Sequence, residues 1–569
     1  MNLSIIILLL LFSIPICFTT NTYLTMRKLI ITLNLCFACL WGYSQNKIEF
    51  TRFPKDMQLL PRDPITNKAS YTLKGKVPKS LGFSTLLVKI FKADALVKEI
   101  SYPLSTNQDS MTFSIPIEIN AELSNHLITM FGLKNNEPVF IRKADKVVAG
   151  DVLVVNGQSN NIGSVQDADY DPFMRSYTDL FGWNDILYTQ PSKWAPRIAK
   201  NIIVNQKIPV AIFNESYGGV VLNYFLKNDT TTDPTNYSDL MNRLNAAEVK
   251  TNIRAILWWQ GESDGWETPA EDYKQQFKKL TADWKKDYND PYCYLFQIRF
   301  RSCTHINPEI MEVQRQLSNE IEGLKIMSTN AALSDSCHFY YSNGYDSLGN
   351  RMYRLLASDL YGTSPVNTRS PDVDKIWFSA ANEITIQLKN FVGDLKIIGK
   401  PWADFRLESD NAALRDSLTK IISGKVSRDK IILEFTGDTN TIKGVSYLSH
   451  IDSSNNWVVN PLGVGILSFY NVPIGPKPFV SSLYTEGVSS FEIAPTITNN
   501  SIQLSWEATD FNKKTVSIYN LLGIPVWTTN INTADKSLNI DVSQLNAGQY
   551  LVVFKEVGKR AGVRKMVKF

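Results

Sequence analysis

Short polar segments with the groups needed for acyl transfer follow four of five apolar runs in the middle of this sequence. They read NGQSN at 156–160, NESYGG at 214–219, QGESD at 260–264 and DSCH at 335–338. Together they supply a hydroxyl, glycine N–H groups, a side-chain amide, and an acid near an imidazole. A serine that attacks a carbonyl needs a base for its proton and donors for the oxyanion that forms. The pattern therefore indicates acyl transfer through a serine.

Ser159 is the candidate nucleophile, and Gly157 would place it on a tight turn between a strand and a helix. The segment is not the G-x-S-x-G elbow, because an Asn stands where that motif needs its second Gly. His338 is the candidate general base, and Asp335 would hold its other ring nitrogen and stabilise the imidazolium. The other histidines, at 126, 305 and 450, have no comparable acid and loop after a strand.

These residues also have plain structural interpretations. A lone serine after a strand is commonly a helix N-cap, Asp335 alone would be a loop acid, and Cys337 is most simply a core thiol. Glu262 could shape the site through hydrogen bonds or could anchor its own loop. Aromatic residues that could stack on a sugar are Tyr217, Trp258, Trp259 and Trp266. At least one of the two adjacent tryptophans is expected in the core, because successive strand residues face opposite sides.

Elements that alternate between strand and helix must position these groups. The apolar runs predict strands at 152–155, 210–213, 255–259, 292–296 and 324–327, and the amphipathic stretches predict helices at 194–205, 240–249, 270–288, 308–324 and 346–361. Solidly apolar runs are typical of parallel strands buried on both faces. Ligand groups gather beyond the carboxyl ends of such strands, so we expect the four polar segments to meet there.

Composition bounds the rest of the chain. Its 569 residues, at roughly 150 residues per domain, predict three to five domains. With 44% hydrophobic and 20% charged residues, the chain is globular, which excludes disordered and fibrous classes. A net charge of +4 is too small for the basic surface that nucleic acid requires. Shifts in texture divide the chain into a signal region at 1–44, a β module at 45–146, an α/β domain at 147–363, a β module at 364–485 and a β-sandwich at 486–569.

Two apolar stretches near the N-terminus, Ile5–Phe18 and Leu29–Trp41, are typical of export signals. The second follows a basic pair and precedes a small-x-small sequence before Gln45, which favours translation from Met26. Each stretch is shorter than the roughly 20 apolar residues of a membrane-spanning helix. We therefore expect export and no permanent membrane span.

We predict no metal and no cofactor. The sequence has no H-E-x-x-H, and its C-x-x-C, at Cys36 and Cys39, lies inside the export signal. Cys303 and Cys337 could pair, but together with Cys293 they are more simply small buried hydrophobes.

In their order along the chain, the motifs resemble the SGNH hydrolases, and within them the sialate O-acetylesterase and carbohydrate esterase family 6 type. The resemblance rests on GQSN at 157–160, GG at 218–219, WQGES at 259–263 and D-x-x-H at 335–338, and it covers about 150–362. It implies a three-layer, flavodoxin-like α/β domain with a parallel sheet, flanked by all-β sandwich-like modules. It also implies Ser159 as nucleophile, His338 as base and Asp335 as its partner.

The same resemblance implies an oxyanion hole made of the Ser159 N–H, the Gly219 N–H and the Gln260 side chain. Many SGNH enzymes have Asn at the position of Gln260, and Val220 replaces their usual Thr, so either Gly218 or Gly219 could supply the donor. Further candidates for substrate binding are Gln158, Asn160, Gly218, Glu262, Tyr217 and Trp266.

The C-terminal part resembles a type IX secretion sorting domain of Gram-negative bacteria, through VSIYNLLG at 516–523, LNAGQY at 545–550 and KMVKF at 565–569. A plain adhesive β module is the alternative. The resemblance implies the type IX machinery as a partner and a location outside the cell or on the outer-membrane surface.

The sequence thus predicts a secreted serine esterase that removes acetyl groups from carbohydrates. A non-catalytic glycan-binding or adhesive protein remains an alternative. A secreted lipase or thioesterase is a second one, although no long apolar lid segment lies near Ser159.

Overall fold

The computed structural model describes residues 47–105, 109–228, 235–299, 308–335, 338–409, 420–448, 456–478, 491–506, 514–521, 524–531, 535–556 and 562–569. The chain divides into two compact units, Met1–Gly475 and Pro476–Phe569, which are considered separately below. The predicted export signal and the cysteines at 17, 36, 39, 303 and 337 lie outside the described residues.

The first unit begins with a β module. Its strands are β1 Glu49–Arg52, β2 Leu59–Pro61, β3 Lys68–Pro78, β4 Thr85–Lys92, β5 Ala95–Pro103, β6 Ser110–Asn120, β7 His126–Lys134 and β8 Glu137–Gly157. Strands β1, β3 and β6 form one sheet, and β5, β4, β7 and β8 pair in that order. Every second residue of β3 and β6 is buried, which is the alternation expected when one face of a sheet packs on a core.

Strand β8 continues from this module into the central sheet. Its first part pairs antiparallel with β7, whereas residues 151–157 pair parallel with two later strands. The boundary expected between 146 and 147 therefore falls inside one strand. The change of sequence pattern near residue 147 does not mark a domain boundary, because the same strand belongs to both sheets.

The central sheet is built around five parallel strands. Its strands after β8 are β9 Met174–Thr178, β10 Gly182–Asp185, β11 Val210–Asn214, β12 Ala255–Trp259, β13 Tyr292–Gln297 and β14 Leu324–Ser328. These five strands lie in the order β11-β8-β12-β13-β14. Beyond β11, β9 adds a short parallel pairing, and β10 pairs antiparallel with β9. All five residues of β12 are buried, as expected for a strand covered on both faces. The five predicted strands are confirmed.

Helices connect these strands. They are α1 Ala195–Gln206, α2 Asn236–Ala246, α3 Asp264–Glu267, α4 Ala270–Asp287, α5 Pro308–Glu320 and α6 Asp346–Leu360. The five predicted helices are confirmed, with shifted ends. Helix α2 begins four residues before its predicted start because Thr235 and Ser238 cap it reciprocally. No helix in the described part of the chain is long and apolar enough to cross a membrane.

A short hairpin and a second β module complete the first unit. Its strands are β15 Ser334–Asp335, β16 His338–Phe339, β17 Asp372–Ala380, β18 Glu383–Lys389, β19 Lys396–Ile398, β20 Phe405–Glu408, β21 Lys420–Ser427, β22 Lys430–Thr436, β23 Gly444–Tyr447, β24 Trp457–Val459 and β25 Phe469–Pro473. Strands β17, β18, β22 and β21 form the largest sheet of this module among the described residues.

Buried polar groups fix this module to the carboxyl ends of β13 and β14. The Gln297 side chain donates to the Ser468 carbonyl (2.8 Å) and accepts from the Ser468 N–H (2.8 Å). Asn330 donates to the Ile466 carbonyl at 2.8 Å. A Cβ on Gly465 would lie 2.7 Å from the Asn330 Cβ, so a larger residue would force the two surfaces apart. Because buried amides in such a junction all have partners, its geometry is well determined.

The second unit consists of β26 Phe491–Ala494, β27 Ile497–Thr498, β28 Ser501–Trp506, β29 Lys514–Asn520, β30 Pro525–Ile531, β31 Ser537–Asp541, β32 Gly548–Glu556 and β33 Gly562–Lys568. They form two sheets, β26-β28-β31 and β27-β33-β32-β29-β30. The strands predicted at 516–519, 526–527 and 551–554 lie within β29, β30 and β32, which confirms them.

Candidate active site

The loop after β8 holds Ser159 in a tight turn across the end of β12. Gly157 has φ +128°, a conformation that favours glycine, and a Cβ there would collide with the Trp259 carbonyl oxygen. The Gln158 N–H donates to that same oxygen at 2.9 Å. Ser159 then starts a short 3₁₀ turn, Ser159–Asn161. The close crossing of backbones therefore fixes where the serine lies.

The glycine loop after β11 lies directly beside Ser159. The Tyr217 N–H donates to the Gly157 carbonyl at 2.9 Å. A Cβ on Gly218 would lie 3.9 Å from the Ser159 Cβ, whereas a Cβ on Gly219 would meet no atom within 4 Å. The first two predicted polar segments are therefore brought together, with Gly218 as the glycine in contact range of the serine side chain.

Gly218→Ala is expected to lower kcat/KM for an acetate ester about 10- to 100-fold while the melting temperature stays near that of the wild type. The added methyl group fits at ordinary contact distance, but it fills space that a substrate carbonyl needs beside the serine, and small misplacements there are costly. Gly219→Ala should instead lower stability by about 1–2 kcal/mol, because that residue has φ +71°. Esterase kinetics and thermal unfolding of both variants check this. Full activity of Gly218→Ala would show that Gly218 does not line the site.

Gln260 supports the glycine loop. Its buried amide donates to the Val220 carbonyl (3.2 Å) and to the Asp264 carboxylate. The reverse amide orientation would set its oxygen against those two acceptors, so the chemistry fixes the assignment. Both amide protons are thus engaged in this arrangement. The oxyanion role of Gln260 remains a prediction, and as a donor to substrate it would have to release one of these bonds.

Asp264 ties the second and third polar segments together, a role that sequence reasoning missed. The carboxylate is fully buried and accepts from the Leu222 N–H (3.0 Å) and the Thr268 hydroxyl (2.9 Å). Burial raises the pKa of Asp264. The position of Asp264 at the end of the QGESD segment could have marked it as a candidate. Nothing in the sequence, however, shows that the Leu222 N–H would be buried next to its carboxylate.

Side chains next to Ser159 anchor its loop. The Gln158 Oε1 accepts from the N–H groups of Gly261 (3.2 Å) and Ser263 (3.4 Å). Glu262, also buried, accepts from the Asn160 amide at 2.7 Å and from the Trp259 indole at 3.0 Å. These contacts favour the alternative interpretation of Glu262, in which this residue anchors its own loop.

The β15–β16 hairpin carries the predicted acid and base. Asp335 and His338 are direct partners across it, so their side chains lie on the same face. Asp335 is exposed and His338 is partly buried. Residues 336–337, and with them Cys337, lie outside the described residues.

Contacts between distant parts of the chain bring this hairpin to the nucleophile loop. The Phe339 ring packs on the Trp259 ring, with centroids 5.3 Å apart. The Tyr345 hydroxyl donates to the Asn160 Oδ1 at 3.0 Å. Phe339, which follows His338, packs on the end of β12, and Asn160, which follows Ser159, is bonded to the same segment through Tyr345. The four predicted segments therefore meet at one edge of the sheet, as expected.

A second connection lies further along the same segment. The Tyr341 hydroxyl donates to the buried Asp169 carboxylate, and Arg197 of α1 forms an ion pair with Asp169 and donates to the Tyr341 oxygen at 3.2 Å. Burial raises the pKa of Tyr341 to about 12, so its hydroxyl stays protonated and can donate. The chain that follows His338 is therefore held at both Tyr341 and Tyr345.

Arg299, in the loop after β13, connects the hairpin to the second β module. Its buried guanidinium donates to the carbonyls of Thr329 (3.1 Å) and Ala332 (3.0 Å). It also lies 4.6 Å from the Phe339 ring centroid and 5.2 Å from the Trp457 ring centroid. The cation therefore connects Trp457 of β24 to the residue that follows His338.

Trp457→Ala is expected to lower kcat about tenfold or more for the folded enzyme with little change in KM, because loss of the stack lets the base shift and small displacements are costly. Trp377→Ala is the matched control. Trp377 lies in the same module, is 6% exposed against 7% for Trp457, and packs on Lys430. Both variants should lose about 3–5 kcal/mol of stability. Equal kcat values at a temperature where both are folded would contradict the bracing role.

The aromatic candidates separate by burial. Trp258 and Trp259 are both in the core, whereas Tyr217 and Trp266 are exposed. Within the described residues, no three His, Cys, Asp or Glu side chains converge in a way that could hold a metal ion.

Comparison with known proteins finds a family match in this part of the chain. Residues 190–358 match the family described as carbohydrate esterase, sialic acid-specific acetylesterase. The match lies within the α/β part of the chain. The matched range contains Gly218, Gln260, Asp335 and His338, and Ser159 precedes it. The predicted resemblance to this family is confirmed over that range.

A solved structure shares the fold over much of this chain. A carbohydrate acetylesterase from Xanthomonas citri is 15% identical, with a TM-score of 0.53 over 73% of this chain and 97% of that chain. A protein from Arabidopsis thaliana is 14% identical, with a TM-score of 0.31 over 37% of this chain and 99% of that chain. No curated protein matches the sequence.

The C-terminal unit also has a family match. Residues 493–568 match the secretion system C-terminal sorting domain, which confirms the predicted resemblance. This domain indicates type IX secretion, and the protein is therefore sent to the cell surface or outside the cell.

Proposed function

We propose that the protein is a secreted serine esterase of the SGNH type that removes O-acetyl groups from carbohydrates. The observation that carries the proposal is the meeting of Ser159, Gly218 and the His338 hairpin around the end of β12. The strand order supports it. Without β9, which pairs with β11 over two residues only, the parallel strands lie in chain order as 2-1-3-4-5. Ligands of such sheets bind where the order reverses, beside the first strand. Ser159 follows that strand.

In the proposed reaction, the Ser159 Oγ attacks the acetyl carbonyl carbon while His338 takes the hydroxyl proton. The tetrahedral intermediate collapses as the bond to the sugar oxygen breaks, and His338 returns the proton to that oxygen. Water then attacks the acetyl-serine carbonyl carbon while His338 again takes a proton. The bond between that carbon and the Ser159 Oγ breaks, His338 returns the proton to the Oγ, and acetate leaves. Asp335 holds the imidazole and stabilises its charged form.

The developing oxyanion would be stabilised by backbone N–H groups at Ser159 and in the glycine loop, with Gly219 as the predicted donor and Gly218 as the alternative. Donors fixed by a rigid scaffold stabilise such charge effectively. The contacts of Gln158 and Asp264 supply that rigidity. Gln260 is the predicted third donor, and its present bonds favour a supporting role for the loop.

The C-terminal domain is proposed to engage the type IX secretion machinery, which would deliver the esterase to carbohydrates outside the cell. Acetylated glycans outside the cell would therefore carry the ester that the proposed reaction needs and would be accessible to the secreted protein.

The test is acetate release by the purified protein from a panel of O-acetylated carbohydrates, from a chromogenic acetate and from the matching long-chain esters. Ser159→Ala serves as the control. We expect release from acetylated sugars and from the short ester, with little activity on long chains. If the wild type releases no more acetate than Ser159→Ala, the proposal fails. A clear preference for long acyl chains would point to a lipase instead.

A further inference from the structure

Two exposed tyrosines form a paired surface next to the candidate nucleophile, here named the tyrosine platform and defined as Tyr217 and Tyr224. Their side chains are 55% and 40% exposed, and their ring centroids lie 5.0 Å apart. Tyr217 precedes Gly218, which is in contact range of Ser159. The two rings form a contiguous apolar surface beside the nucleophile loop, which makes it a candidate interaction site.

The platform has a rigid base. Tyr224 lies in the short 3₁₀ turn Leu222–Phe225, in which Leu222 and Phe225 are buried. The Phe225 ring packs on Trp258 with centroids 5.1 Å apart. The Tyr217 backbone is held by the Gly157 carbonyl. Because both ends of the loop are fixed, the rings are held in place before any ligand binds, which lowers the entropy cost of binding.

A third exposed ring lies on the neighbouring segment. Trp266 of α3 is 60% exposed. Asp264 of the same helix accepts the Leu222 N–H, so the helix and the platform loop are bonded to each other. Aromatic faces bind the C–H face of a pyranose ring, while the sugar hydroxyls at the ring edge stay in water or find polar partners.

The charges around the platform argue for an uncharged sugar. Glu215 is paired with Arg243, and Lys227 with Asp287 at 2.9 Å. Both basic side chains are therefore already neutralised by carboxylates of the chain. A carboxylate-bearing sugar would gain little from these two paired cations, whereas a neutral pyranose needs no counter-charge.

From these contacts we infer that the tyrosine platform, together with Trp266, is a stacking subsite for an uncharged pyranose ring of an oligosaccharide that carries the acetyl group. The inference rests on the proposed function and adds the substrate class: an O-acetylated neutral oligosaccharide, bound through a ring near the ester.

Three variants test the subsite, namely Tyr224→Ala, Tyr217→Ala and Tyr224→Phe. With an acetylated neutral oligosaccharide, each alanine variant should raise KM about tenfold, the loss expected for removing one stacked ring. Tyr224→Phe keeps the ring and should behave as the wild type. With a small chromogenic acetate, kcat/KM of Tyr224→Ala should stay unchanged. The matched control is Tyr292→Ala. Tyr292 is 41% exposed and lies at the opposite end of the sheet, where β13 begins.

A binding titration with the same oligosaccharide after chemical deacetylation separates this inference from the proposed function, because it needs no turnover. Weaker binding by Tyr224→Ala than by Tyr292→Ala supports the subsite even if no esterase activity is found. Equal oligosaccharide binding by the wild type and Tyr224→Ala overturns it, and so does an equal KM in an active enzyme. A loss confined to acetylated sialic acid, with neutral oligosaccharides unaffected, also overturns it.

Discussion

Replacing His338 with alanine is expected to lower kcat for acetate release by about 10⁴-fold or more, the cost of removing the base from a serine triad. Without the imidazole, the Ser159 proton has no acceptor during attack. Asp335→Asn should cost about 10² to 10⁴, since the amide leaves the imidazolium without a counter-charge and can favour the wrong tautomer. Steady-state kinetics on a chromogenic acetate measure both.

The losses of transition-state stabilisation in the His338 and Asp335 variants should not add. Because the three groups act as a unit, the variant that lacks both His338 and Asp335 should be about as slow as His338→Ala alone. His126→Ala is the matched imidazole control, because His126 lies in β7, outside the site. A His338→Ala enzyme that keeps a tenth of the wild-type kcat would exclude His338 as the base.

Gly157→Ala is the second change with a large expected effect: loss of activity together with at least about 3 kcal/mol of stability. Two causes act together. The residue has φ +128°, and a Cβ would collide with the Trp259 carbonyl oxygen and lie 2.7 Å from the Asn161 Nδ2. Neither the end of β12 nor the Asn161 side-chain amide can move without shifting Ser159.

Gly182→Ala is the control for that variant. Gly182 also has a positive φ, +69°, but a Cβ there would meet no atom within 4 Å. It should therefore lose only about 1–2 kcal/mol, the cost of the left-handed conformation. Chemical denaturation and esterase assays compare the two. A Gly157→Ala protein with wild-type stability and rate would mean that the turn before Ser159 is not the one described.

Much of the α/β domain could be predicted because its signals are local. Strands buried on both faces must be solidly apolar, so runs such as 255–259 stand out, and the polar residues that follow them must lie at one edge of a parallel sheet. Helix α4 was predicted from apolar residues three or four apart, and its ends differ little from that prediction.

What could not be predicted depends on contacts between distant positions. Asn160 and Tyr345 are 185 positions apart, and no local pattern shows that they meet. The stack of Arg299 on Trp457 likewise needs the second β module to dock on β13. The hairpin of β9 and β10 was missed because its residues alternate weakly. The direction of the Gln260 amide is set by Asp264 and Val220, which the family pattern does not reveal.

The most direct test of the central claim is peptide mapping by mass spectrometry after reaction with a serine-reactive fluorophosphonate. The account predicts one stoichiometric adduct, on the peptide that contains Ser159, formed far more slowly in His338→Ala and absent in Ser159→Ala. Labelling at another serine, or at the wild-type rate without His338, would contradict it.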